Sequence, residues 1–309
     1  MRAIIRPYTG ADLETLRSLI ESPGIATQLD IFIGRNALEQ RLADPRLPES
    51  CIRLAFVDDE PAGFGFAWVL PGPPYAWTSP RIGVHERFRR RGIGRRLLEQ
   101  VIEASRRVPA GEPPRELSAA AWVPDPAAEG FAAAIGWRHD RWFWLMERPR
   151  GATPEPVWPA GATVRVFDGS ERAIVDWNEA YNRSFAEHYH YVPSSLDDAR
   201  ALVAGPGFRN EAVLLAHRDD RCVGFCRCEI HHDRGEIGTL GVTPEARGIG
   251  LGRALLRRGV RWLEADNAMP VTLMVDGENE SALGLYRSEG FEVTRTRRVW
   301  VKPLDGGGA

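Results

Sequence analysis

The stretch EARGIGLGRALL, residues 245–256, sets glycines at alternate positions, Gly248, Gly250 and Gly252, directly before a leucine-bearing run. Glycine inside a helix costs roughly 1 kcal/mol against alanine, so a cluster at a helix start needs a reason. The first N–H groups of a helix lack partners, and the helix dipole is positive there. Without Cβ atoms in the way, an anion approaches those groups closely, so a strand, a glycine-rich turn and a helix form a phosphate cradle. Arg247 adds charge to it. Residues 88–99, FRRRGIGRRLLE, give nearly the same pattern with Arg89, Gly92 and Gly94. A tight strand–helix turn accounts for one such run as well as an anion site does; two in equivalent places favour the anion. Neither run is a P-loop, because Gly252 is followed by Arg253 and Ala254 rather than Lys and Ser/Thr, and neither has the Gly-x-Gly-x-x-Gly spacing of a dinucleotide fingerprint.

Setting Arg89 on Arg247 shifts the chain by 158 residues (247 − 89), and other landmarks follow. IIRPY at 4–8 answers TVRVF at 163–167, and DDEPAGF at 58–64 answers DDRCVGF at 219–225. IGWRHDRWFWL near 135–145 answers EGFEVTRTRRVWV near 289–301. So long a period is a domain duplication, not a solenoid. The predicted organisation is a first domain at 1–148, a Pro-rich linker at 149–161, a second domain at 162–303 and a flexible tail at 304–309. Each copy runs from a strand through one or two helices to Val/Phe/Ile-rich strands, then the glycine turn and its helix. A further strand, a short helix and a last strand close each copy. That order indicates an α/β, or α+β layered, domain with one sheet. A helical stripe is expected at Leu251, Leu255, Arg258 and Trp262, and its counterpart at Ile93, Leu97, Val101 and Ala104.

Composition bounds the function. The chain has 309 residues, is 43% hydrophobic and 27% charged, and carries a formal charge of −2, which gives no reason to expect nucleic acid. Apart from Phe88, no stacking aromatic interleaves the six arginines within RFRRRGIGRR, so anionic cofactor groups explain them better. The N-terminal MRAIIRPYTGADLE does not read as a signal peptide, and no apolar run is long enough to span a bilayer. Cys51, Cys222, Cys226 and Cys228 are sparse and read as reduced, so a cytoplasmic enzyme, monomer or homodimer, is expected. No metal site is expected, either in CVGFCRC or at His231, His232 and Asp233 on a hairpin tip.

GVTPEARGIGLGRALL resembles the Arg-x-x-Gly-x-Gly loop of the GCN5-related N-acetyltransferases, through Arg247, Gly250 and Gly252. NESALGLYRSEGF is similar to the C-terminal signature of that family, matched by Asn279, Ala282, Tyr286, Gly290 and Phe291. The resemblance spans 162–302 and, more weakly, 1–148. It implies two tandem domains, each a mixed, mostly antiparallel twisted sheet flanked by helices, with acetyl-CoA as cofactor. It implies a pyrophosphate on Arg247, Gly248, Ile249, Gly250, Leu251, Gly252 and Arg253, near Asn279. Pantetheine would run beside Leu240, Gly241 and Val242. The first copy supplies the corresponding strand end, Ile82, Gly83 and Val84, and the corresponding loop, Arg89, Arg90, Arg91, Gly92, Ile93 and Gly94.

Acetyl transfer to an amine needs a base for the ammonium proton and an acid for the leaving thiolate. The resemblance puts the acid on Tyr286 and the base on Glu236. In an ideal strand Glu236 shares a face with Gly238, Leu240 and Val242; a strand-edge charge and a core aromatic are the plainer accounts of the two residues. The first copy has Thr78 in place of Glu236, Ala132 in place of Tyr286 and Asp125 in place of Asn279, so it reads as catalytically degenerate. An intact second lobe behind a worn first one resembles the mycothiol synthase group, in which the acceptor is a cysteinyl amine. NRSFAEHYHYVPSSLDD marks the acceptor side, with His188 and Tyr191 as candidate substrate residues and a histidine at 188 or 190 as a possible second base. The expected activity is acetyl transfer to a small primary amine; a non-catalytic acetyl-CoA-binding module stays open as the rival.

Overall fold

The computed structural model describes residues 3–26, 38, 42–44, 46–70, 76–109, 115–205, 207–231 and 234–304. They group into two units, residues 1–140 with 298–309, and residues 141–297. The first holds β1 (Ala3–Pro7), α1 (Leu13–Glu21), β2 (Arg53–Val57), β3 (Glu60–Leu70), β4 (Ala76–Val84), α2 (Ile93–Ser105), β5 (Arg115–Val123) and α3 (Pro126–Ala134). Its strands lie in the order β1-β2-β3-β4-β5, antiparallel except where β5 runs parallel to β4. One face is covered by α1, where Leu16, Leu19 and Ile20 meet Phe64 and Phe66. On the other face Ile93 and Leu97 of α2 pack on Ala55, Val57 and Ala62. The stripe expected at Ile93, Leu97, Val101 and Ala104 is buried.

The second unit repeats the plan with β7 (Thr163–Val166), α4 (Glu171–Phe185), α5 (Leu196–Ala204), β8 (Val213–Arg218), β9 (Arg221–Ile230), β10 (Gly235–Val242), α6 (Leu251–Ala265), β11 (Val271–Asp276) and α7 (Glu280–Ser288). Ile174 and Trp177 of α4 pack with Phe225 and Leu215 on one face. On the other, Leu255, Leu256, Val260 and Leu263 of α6 cover Cys226, Cys228, Ile237 and Leu273. The buried face of α6 is centred on Gly259, where an added Cβ would stand 2.8 Å from Cys226 Sγ. Arg258 therefore falls at the margin of that face and is exposed, and Trp262 is only half-buried, so the stripe expected through those two residues is displaced.

The last strands depart from a plain two-domain split. β6 (Arg138–Arg148) and β12 (Glu292–Pro303) each straddle the division. Residues 143–148 of β6 pair antiparallel with β11 in the second unit, Val271 opposite Arg148 and Asp276 opposite Phe143. In the first unit the strand beside β5 is the C-terminal part of β12. Each repeat's closing strand thus completes the sheet built from the other repeat. Duplication makes the two strands interchangeable in pattern, the condition under which elements swap at low cost. Residues 149–161 are irregular but are not a loose tether. Thr153 is buried, its hydroxyl donates to Glu264 at 2.8 Å, and its carbonyl accepts from Arg261 at 2.9 Å.

Met146, from the first repeat's sequence, is fully buried in the core of the second unit. Met146→Ala is expected to cost about 2–5 kcal/mol. Amide exchange checks it: protection should fall in β11 and α6, not in β2 and β3.

Candidate functional site

Parallel pairing between β10 and β11 is confined to Gly235 with Val271 and Glu236 with Thr272. Beyond those pairs β10 runs on to Val242 without a ladder on that side, and a cavity of about 750 Å³ opens there. Leu240, Gly241 and Val242 form one wall, and Asn279, Ala282, Leu285 and Tyr286 of α7 and its cap form another. Arg247, Gly248, Gly250, Leu251, Gly252 and Arg253 close one end.

The glycine turn has the conformation that its sequence demands. Gly248 has φ +79° and Gly250, the N-cap of α6, has φ +90°, both in the left-handed region. A Cβ added at either meets nothing within 4 Å, so neighbours do not crowd it. No side chain caps α6, whereas Ser170, Ser195 and Asn279 cap α4, α5 and α7. The turn therefore leaves an open cradle at an uncapped, electropositive helix start, which fits a pyrophosphate. Arg247 braces it, its Nε donating to Val242 O at 3.3 Å and its Nη2 to Ser184 O at 3.1 Å. Arg253 pairs with Glu289. Ile249 is 42% exposed and is not part of the cavity wall.

The same frame recurs in the first unit. β4 and β5 pair at Ala76, Trp77 and Thr78 and then part. Arg90 and Gly92 have φ +64° and +76°, Gly92 caps α2 without a side-chain bond, and Arg89 Nε donates to Val84 O at 3.0 Å. Ile82 and Val84 face α2 beside Gly94, Gly83 faces Phe64, Ile93 is buried, and Arg91 lies over the Phe88 ring. Ala132 is buried in the place of Tyr286, but the bulge at Gly238 moves the register. The residue level with Glu236 is therefore Ser79, opposite Trp68, and not the expected Thr78, whose buried hydroxyl has no hydrogen-bond partner among the described residues.

Tyr286 lines the cavity at 9% exposure, and burial pushes its hydroxyl well above the usual phenol range. The hydroxyl is therefore kept in its protonated form. Glu236 is elsewhere. A bulge between Ile237 and Thr239 inserts Gly238 and breaks the alternation, so Glu236 does not share the face of Leu240 and Val242. Its carboxylate is 2.9 Å from His231 Nε2, a bond that raises the imidazole pKa, and it is not on the cavity wall.

His188 does line the cavity, edge-on to Phe185, and burial lowers its pKa, which favours the neutral ring. Tyr191 is tied down instead, its hydroxyl donating to Asn182 at 2.7 Å, and Tyr189 takes the wall position. Sequence reasoning missed Ser184, Arg141, Asp276 and Glu278 on the wall. Arg141 sits 2.7 Å from Asp276 and 3.6 Å from the Tyr189 ring centroid, and reaches the site because β6 does. No repeat pattern announces it. No group of three or more His, Cys, Asp or Glu able to hold a metal occurs among the described residues, and His232 and Asp233 lie outside them. No helix there is long and apolar enough to cross a membrane.

The sequence pattern of the acetyltransferase (GNAT) family matches the chain twice, at residues 18–137 and 173–291. A mycothiol acetyltransferase of Thermomonospora curvata is 36% identical over 82% of each chain. One of Thermobispora bispora is 32% identical over 94% of this chain and 96% of its own. Among solved structures, a GCN5-related N-acetyltransferase of Sphaerobacter thermophilus superposes with TM-score 0.76 at 25% identity, covering 99% of this chain and 97% of that one. A tandem GNAT protein from the clavulanic acid biosynthesis pathway shares the fold, with TM-score 0.72 at 19% identity, covering 99% of this chain and all of that one.

The two glycines flanking Leu251 are expected to differ. Gly250→Ala forces an L-residue into the left-handed region and should cost about 1–2 kcal/mol. At Gly252, inside α6, an added Cβ meets Val242 at 3.5 Å and Leu285 at 3.7 Å, ordinary contacts, so Gly252→Ala should stabilise by up to about 1 kcal/mol. Urea unfolding of both variants measures the difference.

Proposed function

Because the chain belongs to the acetyltransferase (GNAT) family, we propose that it moves an acetyl group from acetyl-CoA to the primary amine of a small molecule in the cavity of the second unit. One observation carries this reading. An open left-handed glycine turn, an unpaired strand edge and a buried tyrosine meet in a single cavity. Bound there, acetyl-CoA supplies an acetyl group activated as a thioester. Residues 247–253 hold its pyrophosphate through backbone N–H groups, and the edge of β10 at Leu240–Val242 aligns its pantetheine. Asn279 fixes the start of α7, its side chain accepting from Ala282 N at 3.1 Å, and so sets where Tyr286 points. The Tyr286 hydroxyl gives its proton to the departing sulfur. In the first unit, residues 82–84 and 89–94 form a second cradle without an acid or a base.

Glu236 is assigned the base, reaching the acceptor ammonium through water, with His231 as its hydrogen-bond partner. His188 is the second reading for the base, supported by its place on the wall and its lowered pKa. Neutral at pH 7, it is able to take a proton. Similarity to mycothiol acetyltransferases supports a cysteinyl amine on a thiol sugar as acceptor. Tyr191, through Asn182, shapes the loop on that side. Thiol release from acetyl-CoA across amino sugars, amino acids and cysteinyl conjugates tests the activity; no release with any of them would refute it.

Tyr286→Phe keeps the ring and removes the acid, so turnover should fall by about 10²–10⁴-fold with the acetyl-CoA Kd unchanged. Glu236→Gln should lose about 10²-fold and recover in part at higher pH, where more of the amine is already neutral. An unaltered Glu236→Gln rate beside a slow His188→Gln enzyme would transfer the base to His188. In that case activity is lost as pH falls through the depressed His188 pKa, below its ordinary value of 6.5.

A further inference from the structure

Ser184, in the last turn of α4, is 5% exposed and lines the cavity, yet its hydroxyl has no hydrogen-bond partner among the described residues. Leaving a buried hydroxyl unbonded is costly, and such a group calls for an explanation. The surroundings fix where it stands. A Cβ built on Gly241 would lie 3.1 Å from Ser184 Cβ and 2.5 and 2.7 Å from the Phe225 ring. The carbonyl of Ser184 is held by Arg247 Nη2 at 3.1 Å. The backbone is thereby tied to the glycine turn, and the side chain is pressed on the wall strand of the cavity.

The duplicated chain contains its own control. Gly83 occupies the same setting in the first unit, with its built Cβ 2.5 and 2.7 Å from the Phe64 ring. Its third neighbour is Ile25 Cδ1 at 3.3 Å, a buried apolar group of that unit's core. Packing against the strand glycine therefore requires no hydroxyl. The polar group appears in the repeat that also has Tyr286, and an apolar one in the repeat that has Ala132.

We propose that Ser184 is a donor-binding residue whose hydroxyl donates a hydrogen bond to a carbonyl oxygen of the acyl-donor arm, a pantetheine amide or the thioester itself. This rests on the acetyl-CoA function proposed above. It explains why an unbonded hydroxyl is kept at this point of the wall. The bond is made only when the donor is bound, so it contributes to donor affinity and not to the stability of the free protein.

Calorimetric titration of the full-length parent and Ser184→Ala, with melting of both unliganded proteins, tests it. The variant should melt at or slightly above the parent temperature. Its Kd for acetyl-CoA should rise about fivefold, the loss expected of one neutral hydrogen bond. Binding of adenosine 3′,5′-bisphosphate, which lacks the arm, should not change. Coenzyme A weakened to the same extent assigns the bond to an arm amide; weakening confined to acetyl-CoA assigns it to the thioester carbonyl. An acetyl-CoA Kd within twofold of the parent, equal weakening of the bisphosphate, or an unliganded melting temperature lowered by several degrees overturns the proposal. Failure of the parent to bind acetyl-CoA overturns the proposed function and this inference together.

Discussion

The parting of β10 from β11 after two residue pairs is the constraint from which the rest of the site follows. A parallel ladder satisfies both strand edges, so where it stops, N–H and C=O groups are left facing a gap. Filling that gap with side chains would leave those groups unmet. The protein leaves it open as a cavity, with a glycine turn at one end and α7 along the other wall. The bulge at Gly238 belongs to the same arrangement, adding twist where the strand turns away from its partner.

Duplication shows which parts of this frame are architecture and which are chemistry. Both units part the same pair of strands, cap the following helix with a left-handed glycine and brace the turn with an arginine on the strand's last carbonyl. The first unit holds even Arg90 at φ +64°, where the second has Gly248. A non-glycine residue there is strained, and surrounding structure has to hold it. The differences lie in side chains: Tyr286 against Ala132, Ser184 against Ile25 and, off the cavity wall, Glu236 against Ser79. One backbone carries two sets of side chains, and only the second includes a buried tyrosine beside the glycine turn.

Exchange of the closing strands means that neither unit is built from one repeat alone. Arg141 belongs by sequence to the first repeat and by packing to the second unit's cavity, where it meets Asp276 and the Tyr189 ring. Met146 and Arg148 enter the second unit by the same route. Arg148 is buried, its Nη1 2.8 Å from Glu264 and its Nε donating to the Glu289 carbonyl at 2.8 Å. A buried charge without its partner is costly, so the second unit's sheet and the segment after β6 are fixed together.

The duplication, the layered α/β fold and the glycine turns were legible in the sequence, and the resemblance to the family signature pointed to Tyr286, which lies on the cavity wall. Each is a local pattern: left-handed φ calls for glycine, and apolar period reports the buried face. Glu236 shows the limit, because one inserted residue at Gly238 reverses every later side chain, and a glycine inside a strand hints at such a bulge without fixing it. Which closing strand completes which sheet was not legible in the sequence, since both carry equivalent patterns and the choice is made by packing. The tertiary structure also decided the membership of the cavity wall. Ser184, Arg141, Asp276 and Tyr189 come from α4, β6, the end of β11 and a loop, brought together by contacts that alternation and spacing along the chain do not encode.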